Sequence, residues 1–500
     1  MSFNMYAGGS SSAGALVELL AQGSMDTVLT QGAQRTFWKS SFTKFSQFAL
    51  ESVNQVFSTQ VAFGGESHCT LSRSGDLLYW TYVRIELPGI KVQNSNEVSQ
   101  AAVQNFPSLD QDLIAHADSM HVLPYVDGAY TDESVGGKER LVAEATNRWE
   151  NAKYGAAPLP TAAQMQDTAL PDFNYCYWTE AIGYHLLRRV EFKCGGATID
   201  TVFSELIFAL QELNGKSGRI LTETVGRTMR NPDELMKRSR ETQILFVPLP
   251  FYFTRHPSLA FPLVSATYHN IQIWVSWAPL SSCIIKSHSN LTVLHAEKNV
   301  PIADDHLKAT IEATYVHLDS VERENLTTQS STQLMVQHQA QVEQISTNNV
   351  KMRLNFNFPV IELMFFIRRK AVKDSNDHFN MCGIGNCREP LVSAEMLFNN
   401  TPRVSAKCAL WWRAIMALQF HSSVPSTPIY SYSFALSPED PALSPSGSCN
   451  FSRLDQCELN LLLQDDFGKA QDATAELFVF ARSYNLLSFS GGLVSLKYSS

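Results

Sequence analysis

The stretch Lys351 to Phe358 reads KMRLNFNF: Met352, Leu354, Phe356 and Phe358 alternate with Lys351, Arg353, Asn355 and Asn357. A period of two places every apolar side chain on one face, so the segment is predicted as a half-buried β-strand with one wet face. The rhythm returns at Ile271, Ile273, Val275 and Trp277, and at Tyr430, Tyr432, Phe434 and Leu436. Leu77–Leu87, Leu187–Lys193, Ile311–Leu318, Ile361–Ile367, Gln456–Leu463, Glu476–Arg482 and Leu493–Tyr498 are further candidates. Many such strands, separated by Pro, Gly, Ser and Asn turns, predict an all-β chain of antiparallel sandwiches.

Helical pattern is sparse. From Thr201 to Asn214, the residues Val202, Phe203, Leu206, Ile207, Leu210 and Leu213 keep a 3.6 period, with Asp200 placed to cap the start and Gly215 to stop the end. Ala13 to Leu20 suits a short helical arm, and the polar stretch Thr328 to Ile345 has weak helical character. Val92 to Asp172 is polar and weakly patterned, an elaborated loop between strands. Lys286 to Asp305 reads as a connection between halves. The expected organisation is an N-terminal arm at 1–33 and a first sandwich at 34–288 carrying the insertion at about 92–172. A linker at 289–305 then leads to a second sandwich at 306–500.

Five hundred residues exceed one usual domain. Charged residues make up only 17%, below the quarter typical of soluble domains, which leans towards assembly with neighbours. A net charge of −9 excludes a main role in packing nucleic acid by neutralising phosphates. The small basic clusters Lys237-Arg238-Ser239-Arg240 and Arg368-Arg369-Lys370 read as solvated loop or strand-end charges. Nine scattered cysteines predict reduced thiols in a cytosol-like compartment. Met1 to Ser12 has no apolar core of a signal peptide. The longest apolar run, Ile244 to Phe253, is broken by Pro248 and Pro250 and falls far short of the ~20 residues of a membrane span.

Catalytic patterns fail on inspection. Gly215-Lys216-Ser217 resembles the end of a phosphate loop, but Leu210 stands where the first glycine must be. Cys382 and Cys387, with His378 near, approach metal spacing, yet a structural zinc takes four ligands and no second such pair exists. Cys449 and Cys457 read as strand-end and core residues. No enzyme activity, metal or cofactor is therefore expected. Asn290, Asn325, Asn399 and Asn450 open Asn-x-Ser/Thr sequons and are candidate glycosylation acceptors, although host glycosylation needs a secretory route. Trp411-Trp412 could form the aromatic platform of a carbohydrate-binding, lectin-like sandwich, or an anchor between rolls or subunits.

Blocks along the chain carry a resemblance. Gly14–Gly23 (GALVELLAQG) runs into Asp26–Thr30, Phe37-Trp38-Lys39 and Phe48–Glu51. Ser72–Leu77 (SRSGDL), Ile182-Gly183, His185–Leu187 and Val190–Asp200 (VEFKCGGATID) follow, then Phe246–Phe253, His256–Leu263 and Tyr268-His269. Next come Tyr315–Arg323 (YVHLDSVER), Arg353–Asn357 with Pro359, Glu362 and Leu363, and Leu397–Asn399 with Arg403. Tyr430–Glu439 (YSYSFALSPE), Ser446-Gly447, Cys449–Arg453 and Asp455 close the series and are its most specific part. In this order the blocks resemble the major capsid proteins of nucleocytoplasmic large DNA viruses of algal and amoebal lineages, leaving only 92–172 uncovered. Where that family often has an Asn-Pro turn, this chain has Gly32-Ala33.

The resemblance implies a tandem double jelly roll of two eight-stranded sandwiches, the second opening at Tyr315–Arg323. It implies a homotrimer that forms a pseudo-hexagonal capsomer and tiles the icosahedral shell of a virion assembled in host cytoplasm. Implied partners are the chain itself, neighbouring capsomers, and minor capsid and penton proteins. Nucleic acid is not contacted directly, and an internal membrane only indirectly.

Overall fold

The computed structural model describes residues 45–90, 175–215, 219–228, 232–287, 294–295, 307–381, 389–439, 445–464 and 474–498, with Val17, Leu20 and Ala21. The 92–172 insertion lies outside these residues, as do nearly all of the 1–33 arm and most of the 289–305 linker. Phe48 to Ser500 forms one compact unit.

Eight strands make the two main sheets of the first half: β1 (Phe48–Val56), β2 (Glu66–Thr70), β3 (Leu77–Leu87), β4 (Leu187–Cys194), β5 (Ala197–Phe203), β6 (Gln243–Pro248), β7 (Ile271–Trp277) and β8 (Lys308–Leu318), with Phe261–Pro262 added beside β3 and a small separate sheet formed by Tyr175–Trp178, Ile284–Ser287 and Leu294–His295. The eight pair as β1-β8-β3-β6 and β2-β7-β4-β5. The second half repeats the plan with β9 (Ser331–Ile345), β10 (Asn349–Arg353), β11 (Pro359–Arg369), β12 (Leu391–Phe398), β13 (Thr401–Cys408), β14 (Tyr430–Ser433), β15 (Cys457–Leu463) and β16 (Ala475–Ser490). Their order is β9-β16-β11-β14 and β10-β15-β12-β13, the same permutation. Every pairing is antiparallel. Two four-on-four sandwiches with this crossing order are two jelly rolls.

The repeat extends to the turns. The hairpin β4–β5 turns on Gly195-Gly196 at φ 58° and 85°, and β12–β13 turns on Asn399-Asn400 at φ 48° and 60°. Two-residue hairpin turns with left-handed backbone at both positions favour Gly, Asn and Asp, which accounts for both pairs.

Three expectations need correction. Tyr315 to Leu318 does not open the second roll: β8 lies between β1 and β3 and is the eighth strand of the first. Alternation identifies a strand but not its neighbours, which here are some 260 and 230 residues away. The helix α2 (Ser320–Thr328) then separates β8 from β9. The stretch 331–345, expected as weakly helical, is the strand β9, paired with β16 over its full length. Its glutamines hide the period of two, and a partner remote in sequence decides its state. The helix expected over Thr201 to Asn214 is shorter: its first turn is strand β5, and α1 spans Ser204–Asn214.

The alternation at Lys351–Phe358 outlasts the strand it predicts. Burial alternates through Leu354 and Phe356, although β10 ends at Arg353 and Phe358 turns back at φ 70°. Beyond β10, glutamine side chains of β9 replace a neighbouring backbone. Gln341 donates to the Arg353 carbonyl and accepts from the Asn355 N–H, at 2.8 and 3.0 Å. Gln339 donates to the Asn357 carbonyl and accepts from its N–H, at 2.9 Å each. A primary amide offers the same donor and acceptor as a peptide group, so the ladder continues through side chains. Gln339→Leu and Gln341→Leu are each expected to cost about 1 kcal/mol, the net value of a hydrogen-bonded pair. A shifted denaturant midpoint at unchanged slope would report it.

Candidate functional site: the seam between the rolls

Strands β11 and β16 are central in their sheet and buried on both faces. Leu363, Phe365 and Ile367, with Leu477, Val479 and Ala481, belong to the second roll's own core. The alternate residues Met364, Phe366, Phe478 and Phe480 join the cluster of the first roll, which includes Leu206 and Phe208 of α1. Two-sided burial explains why Pro359–Arg369 (PVIELMFFIRR) shows a run rather than an alternation. It also explains why α1 buries Ser204, Leu206 to Leu210, Glu212 and Leu213, almost its whole circumference.

Polar groups enclosed between the rolls need partners, because each unpaired one costs its desolvation. Asp200 of β5 accepts the N–H of His338 at 2.9 Å and lies 2.8 Å from its Nδ1, bridging first roll to second. It does not cap α1 as expected: the cap position is Phe203, and Asp200 sits within β5. Arg368 donates to Glu205 of α1 at 3.1 Å and to Glu476 at 2.9 Å, and Lys373 donates to Glu476 at 2.6 Å. Burial pushes the Glu476 carboxyl up, but Lys373 and Arg368 outweigh it and hold the group below its ordinary pKa. The cluster Arg368-Arg369-Lys370, read as solvated, is therefore corrected: Arg368 and Arg369 are buried. They stand at the end of a strand with no wet face.

A second ion pair lies deeper. Arg482 donates to Glu362 at 2.6 Å and to the Pro438 carbonyl at 3.0 Å. His421 Nε2 is 3.4 Å from the other Glu362 oxygen, and its Nδ1 is 2.8 Å from Asn214 Oδ1 at the end of α1. Burial lowers the His421 pKa, with Glu362 opposing and Arg482 reinforcing. Farther along, the rings of His185 and His378 stack at 3.8 Å and 5°. Ser282 serves both: its Oγ is 3.0 Å from His185 Nε2 and its carbonyl 2.8 Å from His378 Nε2. Burial drives His378 down to about 4 and His185 far below its ordinary value. Asn376 donates to the carbonyls of Ser281 and Ile284 and accepts from Thr179.

Apart from the half-exposed Lys373, these groups are turned mainly towards one another, so the arrangement locks the two lobes together. Five thiols are raised by burial, Cys69 to about 11, Cys194, Cys283 and Cys457 to about 12, and the partly buried Cys449 in the same direction, which makes them packing residues and weak nucleophiles. Cys457 is buried and Cys449 partly so at the start of a short strand, as the sequence indicates. Cys382 and Cys387 lie outside the described residues, and His378 is committed to the seam. Among the described residues no three His, Cys, Asp or Glu side chains gather as metal ligands.

Of the sequons, Asn290 lies outside the described residues. Asn325 is exposed on α2. Asn399 is a hairpin turn residue whose Oδ1 accepts the Gln456 N–H, and Asn450 accepts the Ser452 N–H. Trp412 is buried in the second roll's core, where its indole N–H donates to the Ala394 carbonyl, and Trp411 packs beside it. The pair is neither an open platform nor an anchor between rolls. No periodicity flags the seam residues His185, His338, His421 and Arg482. The available signal was the charge closing an apolar run, Arg368-Arg369.

Comparisons with known proteins match in two consecutive pieces. A model described as the major capsid protein N-terminus matches residues 36–117 and 158–319. One described as the large eukaryotic DNA virus major capsid protein matches 322–495. The join falls at α2. The chain is 23% identical to the major capsid protein of Chrysochromulina ericina virus, covering 97% of this chain and 100% of the relative. It is 22% identical to that of Paramecium bursaria Chlorella virus 1, with the same coverage. Among solved structures, the PBCV-1 virus capsid superposes with a TM-score of 0.62 at 19% identity, over 93% of this chain and 100% of that one. The Faustovirus major capsid protein gives 0.61 at 13% identity, over 96% and 97%. Likeness at these identities speaks to the fold, a double jelly roll.

Proposed function

The chain belongs to the major capsid proteins of large eukaryotic DNA viruses, and from that premise we propose that it closes into a homotrimer, a pseudo-hexagonal capsomer that tiles an icosahedral shell and catalyses nothing. The observation that carries the reading is the pair of like-ordered rolls fused by a dehydrated seam. Three rigid pairs make six near-equivalent lobes, and a ring of six can pack hexagonally on a facet. We take the division between rolls at α2, after β8, with the first roll from β1. The net charge of −9 suits a shell that meets capsomers and minor capsid and penton proteins, without direct contact to nucleic acid. An internal membrane would be met only indirectly. Assembly is assigned to host cytoplasm, in keeping with free buried thiols.

The carbohydrate-binding alternative loses its motivation with the burial of Trp412. Light scattering on the purified full chain tests the proposal: a particle of three times 55.8 kDa is expected. A monomer at assembly concentrations, or specific retention on sugar matrices, would overturn it.

A further inference from the structure

The SRSGDL block at 72–77 takes no part in the seam, yet its two charged residues reach towards both ends of the second roll. The Arg73 guanidinium donates to three carbonyls of one short segment, those of Leu263, Ala266 and His269, at 2.5 to 2.9 Å. Three acceptors gathered on one planar cation fix the path of that segment. A lysine ammonium, a single point charge, does not reproduce the fork. Asp76 is buried and accepts from the Leu318 N–H at 2.8 Å. The same carboxylate takes Nε and a terminal nitrogen of Arg323 on α2, at 2.7 and 2.6 Å. The Asp76 carbonyl accepts the Val264 N–H, which ties the block to 263–269 a second time.

Segment 263–269 in turn holds the second roll where it begins and where it closes. At the beginning, Ser265 Oγ donates to the Leu326 carbonyl of α2 at 2.7 Å. No residue of α2 is buried, so polar contacts to Ser265 and Asp76 take the place of apolar packing. At the other end, the strand Leu493–Leu496 folds back on β16 through Gly491-Gly492. The Gly492 carbonyl accepts the Tyr268 N–H at 3.1 Å, and His269 Nδ1 accepts the Val494 N–H at 3.2 Å. Gly492, at φ 82°, lies so close under the Tyr268 ring that an added Cβ would stand 2.7 Å from it. The His269 ring covers Gly195 of the β4–β5 turn as tightly. Val494 is thereby buried in the cluster that holds the first roll's core.

We propose that segment 263–269, set by Arg73, is a two-point clasp: it grips α2 and the strand Leu493–Leu496 together, so that both ends of the second roll are released in one step and ahead of the seam. The clasp is built from a few polar contacts, and Arg73 is itself exposed. The seam is apolar and enclosed. Local opening begins where buried apolar contacts are fewest, which puts the clasp first. The two ends are coupled because both lean on one segment whose path a single guanidinium fixes. This device belongs to the single chain and stands apart from the trimer reading.

Amide hydrogen exchange on the full-length protein tests it, read by mass spectrometry in peptides spanning 263–269, 318–328 and 491–498, with 335–341 in the seam as reference. In wild type the first three should share one opening equilibrium and one denaturant dependence, while the reference exchanges more slowly. Arg73→Lys keeps the charge and loses the fork. It should speed all three at least about tenfold and leave the reference unchanged. Ser265→Ala should uncouple the ends, speeding 318–328 while 491–498 exchanges as in wild type. His269→Phe should do the reverse. Should Arg73→Lys fail to fold, these two variants carry the test. Unequal opening of 318–328 and 491–498 in wild type overturns the clasp. So does an Arg73→Lys protein that frees one end alone, or that speeds the reference equally, the mark of global unfolding. Single-arm variants that leave both ends moving together overturn it as well, since the coupling would then run elsewhere.

Discussion

Replacing Arg482 with methionine is expected to lower stability by about 3–5 kcal/mol, the range for breaking a buried ion pair on one side. The side chains of Arg482 and Glu362 are 1% and 0% accessible, so water cannot take over when the guanidinium is gone. Glu362 would keep only His421, 3.4 Å away, as a nearby cation source. Arg482 is one of the influences that hold the His421 pKa down. Its removal lets His421 take up a proton more readily, so the deficit should be smaller at pH 5.5 than at pH 8. The second arm, Glu362→Leu with Arg482→Met, removes both charges and should recover most of the loss, because an apolar replacement of similar volume dispenses with both desolvation costs. The Pro438 carbonyl would still lack its donor, so recovery stops short of complete. Denaturant midpoints of the two singles and the double close the cycle. A single-variant loss under about 1 kcal/mol, the level of a solvated pair, would mean that water reaches this site.

That pair was not legible in the sequence, and the reason is physical. Periodicity reports which residues of one segment share a face, so it found the strands at Lys351, Ile271 and Tyr430 from side chains alone. It does not report what lies across that face. Arg482 and His338 lie directly opposite each other on β16 and β9, 144 positions apart in the chain; Asp200 comes from the other roll. The same limit misplaced β8, whose own alternation was read correctly while its sheet was not. It also turned Asp200 into a helix cap, since an aspartate just before an apolar 3.6 period fits that role until β5 is seen to run through Phe203. Family resemblance supplied the architecture that pattern reading could not, and the matched segments meet at 319 and 322, on either side of the start of α2. For the seam, the readable trace was compositional: PVIELMFFIRR carries too little polarity for a strand with one wet face, which places a second body against it.

The histidine stack makes that second body pH-dependent in a direction fixed by its burial. In the unfolded chain His378 titrates near 6.5, whereas in the fold burial holds it at about 4, with the Ser282 carbonyl opposing that shift and the Arg368 charge adding to it, Glu205 and Asp377 pulling weakly the other way. Between those values the unfolded state binds the extra proton, so stability falls as pH falls through this window. One proton is worth about 1.4 kcal/mol per pH unit, which gives roughly 3 kcal/mol for His378 by pH 4. His185 is lowered further, by burial first and then by His378, Arg368 and Arg188, and acts in the same direction across the whole interval. His421, also lowered by burial, adds to it. Glu476 contributes separately: its depressed pKa yields stability that is present above 4.5 and is lost only below it. The histidine part is therefore isolated between pH 6.5 and 4.5, where unfolding free energy measured against pH should show a slope of more than one proton. His378→Gln can keep a donor towards the Ser282 carbonyl while removing the titrating ring. It should flatten that slope by close to one proton and leave the profile above pH 7 parallel to wild type. An unchanged slope would place the proton uptake elsewhere and leave the stack as a contact without a pH role. Since the rings join residues of both rolls, loss of this contact in acid should loosen the seam before either sandwich core, and any ring built from fused pairs would weaken with it.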